Sequence, residues 1–202
     1  MSVGRERWTH AAGYAAGVLV IAAAVAAALT PVDPDATADG HGWRGAYYRD
    51  LLFLGEPVVR RERVLLFDWR RGSPFPERRP RDRFSVRWDA CLELPARATI
   101  ELTLTSDDGS RAFVDGERFV DNWGDHGLRA RAAAVALDAG PHHVQVEYYE
   151  KSRDARIHAR ITLPERDGEP IPRDWLRIPE LPHHHPDVCA PDEEPSDPDD
   201  LT

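Results

Sequence analysis

The sequence predicts an all-β fold, an antiparallel β-sandwich preceded by one N-terminal hydrophobic helix. Three observations carry that expectation. Period-two alternation of apolar and polar residues recurs between residues 43 and 164. Compact turn signals separate the alternating stretches. After residue 31 no stretch shows the 3.6-residue periodicity of an amphipathic helix. Many short strands with frequent turns are the pattern of a sandwich or barrel.

The strands follow in order. Phe84, Val86, Trp88, Ala90, Leu92 and Leu94 share one face of an extended segment, and Ser85, Arg87, Asp89, Cys91 and Glu93 share the other. Ile100, Leu102 and Leu104 alternate with Thr99, Glu101, Thr103 and Thr105. Val144, Val146 and Tyr148 alternate with His143, Gln145, Glu147 and Tyr149. Ile157, Ala159, Ile161 and Leu163 alternate with Arg156, His158, Arg160 and Thr162. Each reads as a half-buried strand with one face on a core and one toward water. Asp115-Gly116, between Ala112-Phe113-Val114 and Arg118-Phe119-Val120, is a hairpin signal. The Ala-rich run Arg131–Leu137 is too short for a stable helix and stops at Asp138-Ala139-Gly140-Pro141, so it is assigned as a strand. Pro74, Pro76 and Pro80 keep the segment 70–83 out of any central strand and place it at the sandwich edge.

The flanks differ from this middle. Ala11–Thr30 is uncharged, preceded by Arg5 and Arg7 and followed by Pro31, Asp33, Asp35 and Asp39. At about 1.5 Å per residue such a helix matches a hydrocarbon core of roughly 30 Å. The charge order puts the N-terminus inside and the rest outside the cytoplasm. Residues 1–30 are therefore expected to be a membrane anchor, through residues 11–30, or a signal peptide cleaved near Ala26-Ala27-Ala28. The alternatives for localisation are a membrane-anchored domain outside the cytoplasm and a secreted or periplasmic one. Residues 31–42 are a linker, and 165–202 a Pro-rich, acidic tail that includes His183-His184-His185 and has no Lys or Arg after residue 186. That histidine triad lacks a second cluster at ligand spacing and is not assigned a metal. Formal net charge is −9, much of it in the tail. With no concentrated basic run dominating the domain, nucleic acid is excluded as a partner. Cys91 and Cys189 are expected to pair, since exported proteins with two cysteines commonly do and Cys91 points away from the apolar face.

An ordered set of motifs carries a resemblance. Gly45-Ala46-Tyr47-Tyr48 opens it and Asp82-Arg83-Phe84-Ser85-Val86-Arg87-Trp88 follows. Then come Ser106-Asp107-Asp108-Gly109-Ser110-Arg111, Val114-Asp115-Gly116-Glu117 and Val120-Asp121-Asn122-Trp123. Leu137-Asp138-Ala139-Gly140-Pro141-His142 and Val146-Glu147-Tyr148-Tyr149-Glu150 complete the series. In this order and over residues 43–164 the chain resembles the PA14 domain first described in the anthrax protective antigen. The glycine that family shows two residues after its strand tryptophan is Ala90 here. The resemblance implies a β-sandwich and, by analogy with sugar-binding fungal members, two aspartates joined by a cis peptide that hold Ca²⁺.

The residues themselves bear on that implication. Consecutive side chains of an extended chain point to opposite faces, so Asp107 and Asp108 can meet one ion only if the backbone folds sharply. Paired anionic oxygens suit a hard cation, and Ca²⁺ takes six to eight oxygen ligands. Asp107 and Asp108 are the candidate metal ligands, with Asn122 and Asp121 as further donors. Trp123 and Asp125 are candidate ligand-binding residues, the indole as a stacking surface for a sugar face. Ser-Asp-Asp-Gly-Ser is equally a turn in which aspartates bond nearby N–H groups, and Trp123 is equally a core anchor. No Gly-x-Ser-x-Gly, His-Glu-x-x-His or phosphate loop is present, so no catalytic residues are assigned and no enzyme is expected. The expected function is a non-catalytic, extracytoplasmic recognition module for a glycan or cell-surface polysaccharide, with Ca as its cofactor. The alternative is a membrane-tethered protein-interaction or structural module without a sugar site.

Overall fold

The computed structural model describes residues 38–180 and 188–190. The expected anchor at 1–30 and most of the acidic tail lie outside the described residues. Among the described residues no helix is long and apolar enough to cross a membrane.

Among the described residues twelve strands form two antiparallel sheets. They are β1 (Trp43–Tyr48), β2 (Val58–Glu62), β3 (Leu66–Arg70), β4 (Phe84–Leu94), β5 (Ala98–Asp107), β6 (Ser110–Val114), β7 (Glu117–Asn122), β8 (Arg129–Leu137), β9 (Gly140–Glu150), β10 (Ala155–Leu163), β11 (Glu169–Pro170) and β12 (Leu176–Arg177). The larger sheet has the order β2-β1-β4-β9-β6-β7, with β12 also on β4. The smaller has the order β11-β10-β5-β8, with β3 on β10. The expected sandwich is present, and the Ala-rich run is strand β8, paired along β5 from Ala98↔Leu137 to Ser106↔Arg129.

The alternation read from the sequence is what fills the core. Phe84, Val86, Trp88, Ala90 and Leu92 of β4 face Ile100, Leu102 and Leu104 of β5 and Ile157 of β10, all fully buried. Each large apolar side chain so buried contributes about 1.5–3 kcal/mol. Phe67 of β3 closes one side by stacking on Trp88 with ring centroids 5.6 Å apart and on Trp69 at 4.9 Å. The β6–β7 hairpin turns on Asp115-Gly116 with φ of 49° and 82°, the pair of positive φ values that its tight turn requires.

The segment between β3 and β4 forms no strand. Phe75 plugs it into the core, Ser73 Oγ donates to the Pro80 carbonyl at 2.5 Å, and the Arg79-Pro80 bond is cis. Beyond Leu163 the chain folds back. Leu176 and Arg177 pair with Leu92 and Cys91 on β4, beyond the point opposite which β1 begins, and Ile178 N–H donates to the Gly40 carbonyl. Cys91 and Cys189 form a disulfide with Cα atoms 5.4 Å apart. As the alternation implied, Cys91 lies on the outward face of β4, but the returning chain buries it completely.

Candidate functional site

One end of the sandwich gathers the ends of β5 and β9 and the loop after β7. Strand β5 ends at Asp107, and the Asp107-Asp108 peptide bond is cis. Asp108 is fixed by two backbone donors: His126 N–H reaches Oδ1 and Lys151 N–H reaches Oδ2, each at 3.0 Å. The Asp107 carbonyl accepts the Tyr148 hydroxyl at 2.6 Å. Gly109 is required by crowding, because a Cβ there would sit 2.3 Å from the Tyr149 ring. Its carbonyl accepts Tyr149 N–H at 2.9 Å. Ser106 and Ser110 hydroxyls meet at 2.7 Å beneath the turn.

The third member comes from β9. Glu150 follows Val144, Val146 and Tyr148 in the inward-facing register and is wholly buried. Its Oε2 accepts the Tyr148 hydroxyl at 3.3 Å, and its Oε1 has no hydrogen-bond partner. Burial first, and then the Asp108 charge, push its carboxyl up to about 8. Burial and the neighbouring Asp108 also raise Asp107 above the ordinary carboxylate range. One carboxylate oxygen from each of Asp107, Asp108 and Glu150 lies within 4.8 Å of the others. Oxygens sharing a Ca²⁺ at 2.3–2.6 Å can be at most about 5 Å apart, so the three fit one such shell. Three carboxylates this close repel one another when ionised, and they are compatible either with shared protons or with a cation.

Asp107 also lines a cleft of about 400 Å³ with Asp68, Arg70, Leu128, Asp154 and Arg156. Arg156 pairs with Asp68 at 2.6 Å across its wall. The acidic cluster therefore has an outlet to solvent through Asp107.

The other residues singled out from the sequence lie around this cluster in different roles. Asn122 is buried, and its amide is occupied: Nδ2 donates to Ser106 Oγ at 2.9 Å and to the Arg129 carbonyl at 3.2 Å, while Oδ1 accepts Arg129 Nε at 2.7 Å. Asp121 is exposed, caps Trp123 N–H at 3.0 Å and pairs with Arg118. Asp125 accepts the Tyr149 hydroxyl at 2.8 Å and pairs with Lys151. Burial and that bond to Asp125 hold the Tyr149 hydroxyl well above its usual value. Trp123 meets Tyr149 edge-on at 4.7 Å, lies near-parallel to Phe53 at 6.4 Å, and carries the Arg111 guanidinium 4.2 Å above its ring. Arg111 and Arg87 are both held by buried Glu147, each at 2.6 Å, and Arg87 in turn covers Phe53 at 4.6 Å. Trp123 is thus one ring of a braced aromatic and cationic group beside the acidic cluster. Glu150 was not among the residues singled out. The signal for it is the β9 alternation, which extends from Tyr148 by two and places a carboxylate on the core face.

The family model of the PA14 domain matches residues 39–175. The chain belongs to the PA14 domain family. This PA14 domain is 30% identical over 138 residues to the anti-sigma-I factor RsgI3 of Acetivibrio thermocellus, an alignment covering 68% of the chain and 21% of that protein. The chain thus spans about a fifth of the curated relative it matches. A solved anti-sigma factor domain-containing protein superposes with a TM-score of 0.63 at 29% identity, over 70% of this chain and 50% of that one. A PA14 sugar-binding domain from an RTX adhesin superposes with a TM-score of 0.54 at 18% identity, over 62% of this chain and 91% of that one, a likeness of fold.

Proposed function

We propose that this PA14 domain is a non-catalytic recognition module that binds Ca²⁺ between Asp107, Asp108 and Glu150 and a glycan through the ion. The observation that carries the reading is the fully buried Glu150 carboxylate with an unpartnered oxygen beside two other carboxylates. An isolated buried carboxylate is unfavourable unless it is neutral, paired or metal-bound. The donor set is all oxygen, which suits Ca²⁺ over a transition metal. Three carboxylates leave positions of a six- to eight-coordinate shell for backbone, water and ligand oxygens, and vicinal sugar hydroxyls are oxygens of that kind. The cleft beside Asp107 is the side from which a glycan such as a cell-surface polysaccharide would reach the ion. Glycan-array binding that disappears with chelator and returns with Ca²⁺ is the expected result. Binding unchanged by chelator contradicts the reading.

Display outside the cytoplasm, with residues 11–30 as membrane tether or cleaved signal, belongs to the same proposal. The Cys91–Cys189 disulfide supports it, because such bonds persist in oxidising compartments. A second reading is favoured by the identity to an anti-sigma factor. In it, the domain is a protein-interaction module of a membrane-tethered assembly, without a sugar site. A partner captured by the domain, with no glycan signal on the array, would favour that second reading.

A further inference from the structure

A second cleft, of about 730 Å³, adjoins the acidic cluster and has the opposite charge character. Arg49, Arg79, Arg81 and Arg83 line it together with Glu77, Pro80 and Asp82. Arg49 is a structural member: it donates to the Arg79 carbonyl at 2.6 Å, pairs with Glu77 and lies over the Phe75 ring. Asp82 is engaged by Arg153 N–H at 3.0 Å. No hydrogen bond or ion pair engages the guanidinium groups of Arg79, Arg81 or Arg83 among the described residues. These three cations sit on a loop held at several points, by Phe75 in the core, by Ser73 Oγ on the Pro80 carbonyl and by Arg83 N–H on the Glu150 carbonyl at 2.8 Å. That last bond also fixes where the cleft lies. Arg83 is bonded to the main chain of a carboxylate in the candidate cation site, and Arg153, bonded to Asp82, is next to Asp154 of the other cleft.

We infer that this arginine cleft selects a glycan bearing carboxylates, a uronic-acid polysaccharide, whose hydroxyls occupy the neighbouring Ca²⁺ site. The inference rests on the proposed function for its first contact and adds the substrate class. The chemistry is specific. A guanidinium is a planar fork that matches a carboxylate with two parallel hydrogen bonds. The loop that carries these arginines is anchored at Ser73 and at the Arg83 N–H, so binding need order only the side chains and not the backbone. The chain carries a formal −9, so a polyanion is not drawn to the molecule as a whole, and its attraction must come from this local patch.

The test is binding of the Ca²⁺-loaded domain to three probes: a uronic-acid hexasaccharide, the same oligomer with its carboxyls methyl-esterified, and inorganic polyphosphate. Each is measured by calorimetry on wild type, on R81Q/R83Q and in chelator. The uronate oligomer should bind wild type about tenfold more tightly than its ester, and R81Q/R83Q should abolish that difference while leaving Ca²⁺ affinity no weaker and Tm unchanged. Equal binding of acid and ester, or an acid preference that survives in R81Q/R83Q, overturns the inference. Polyphosphate binding as tightly as uronate would overturn it by showing an unselective polyanion patch. Uronate binding that persists in chelator yet falls in R81Q/R83Q would support the cleft and contradict the Ca²⁺ reading, which separates the two failures.

Discussion

Asp107, Asp108 and Glu150 occupy one small volume but are held there differently, so their substitutions should separate binding from stability. Asp107 accepts no backbone N–H through its side chain among the described residues and faces a cleft. D107N should therefore keep the fold within about 0.5 kcal/mol and abolish calorimetrically detectable Ca²⁺ binding. Asp108 satisfies two main-chain donors. D108A should lose Ca²⁺ and also destabilise by about 2 kcal/mol in urea, because the His126 and Lys151 N–H groups lose their acceptor. Glu150 makes a statement about pH. Its folded pKa, about 8, lies above the ordinary 4.5, so the fold favours the neutral acid. The stability this gives the metal-free protein is present in full below the ordinary value. It is lost as pH rises through about 8. Urea midpoints of metal-free wild type should fall across that window, and E150Q, neutral throughout, should lack that component of the fall.

At the scale of elements, the outward face of the larger sheet explains how the rim of the site is kept in place. Glu147 on β9 draws Arg87 from β4 and Arg111 from β6 onto one carboxylate, and those guanidiniums cover Phe53 and Trp123. Removing the charge while keeping the shape, as in E147Q, should destabilise by about 2 kcal/mol, since charged hydrogen bonds to a buried group are lost. A measured change under 0.5 kcal/mol would show the brace to be dispensable. The legibility of these elements from sequence was uneven for a physical reason. Strands β4, β5, β9 and β10 bury one face, and their alternation was plain. Strands β2 and β3 lie toward the sheet edges and alternate only between half-buried and exposed, and with Arg60, Arg61 and Arg70 on them their apolar side is shorter and harder to read. The turn at Asp107-Asp108 was legible because adjacent carboxylates before a glycine suit a sharp turn and a hard cation. Glu150 escaped notice because its register, rather than its residue type, places it at the site. Likewise Asn122 was legible as a donor, yet only three-dimensional packing reveals that Arg129 and Ser106 use its amide. No local pattern encodes the gathering of Arg49 with Arg79, Arg81 and Arg83, which depends on how the loop between β3 and β4 folds back.

Across the whole molecule, the disulfide joins residues 98 positions apart and fastens the returning C-terminal chain over β4. In the chain-entropy model, closure of so long a loop contributes roughly 4 kcal/mol. The C91S/C189S double variant should therefore melt roughly 10 °C lower than wild type, and reductant should lower wild type toward the same Tm. The sandwich holds three carboxylates together at one end with an open cleft beside them. Titration of Ca²⁺ into the metal-free domain, followed by calorimetry, tests that claim most directly. Wild type should bind one Ca²⁺ per domain, E150Q should bind it more weakly by about tenfold or more, and D107N should not bind it. Absence of binding to wild type, or a wild-type isotherm retained by both variants, would contradict it.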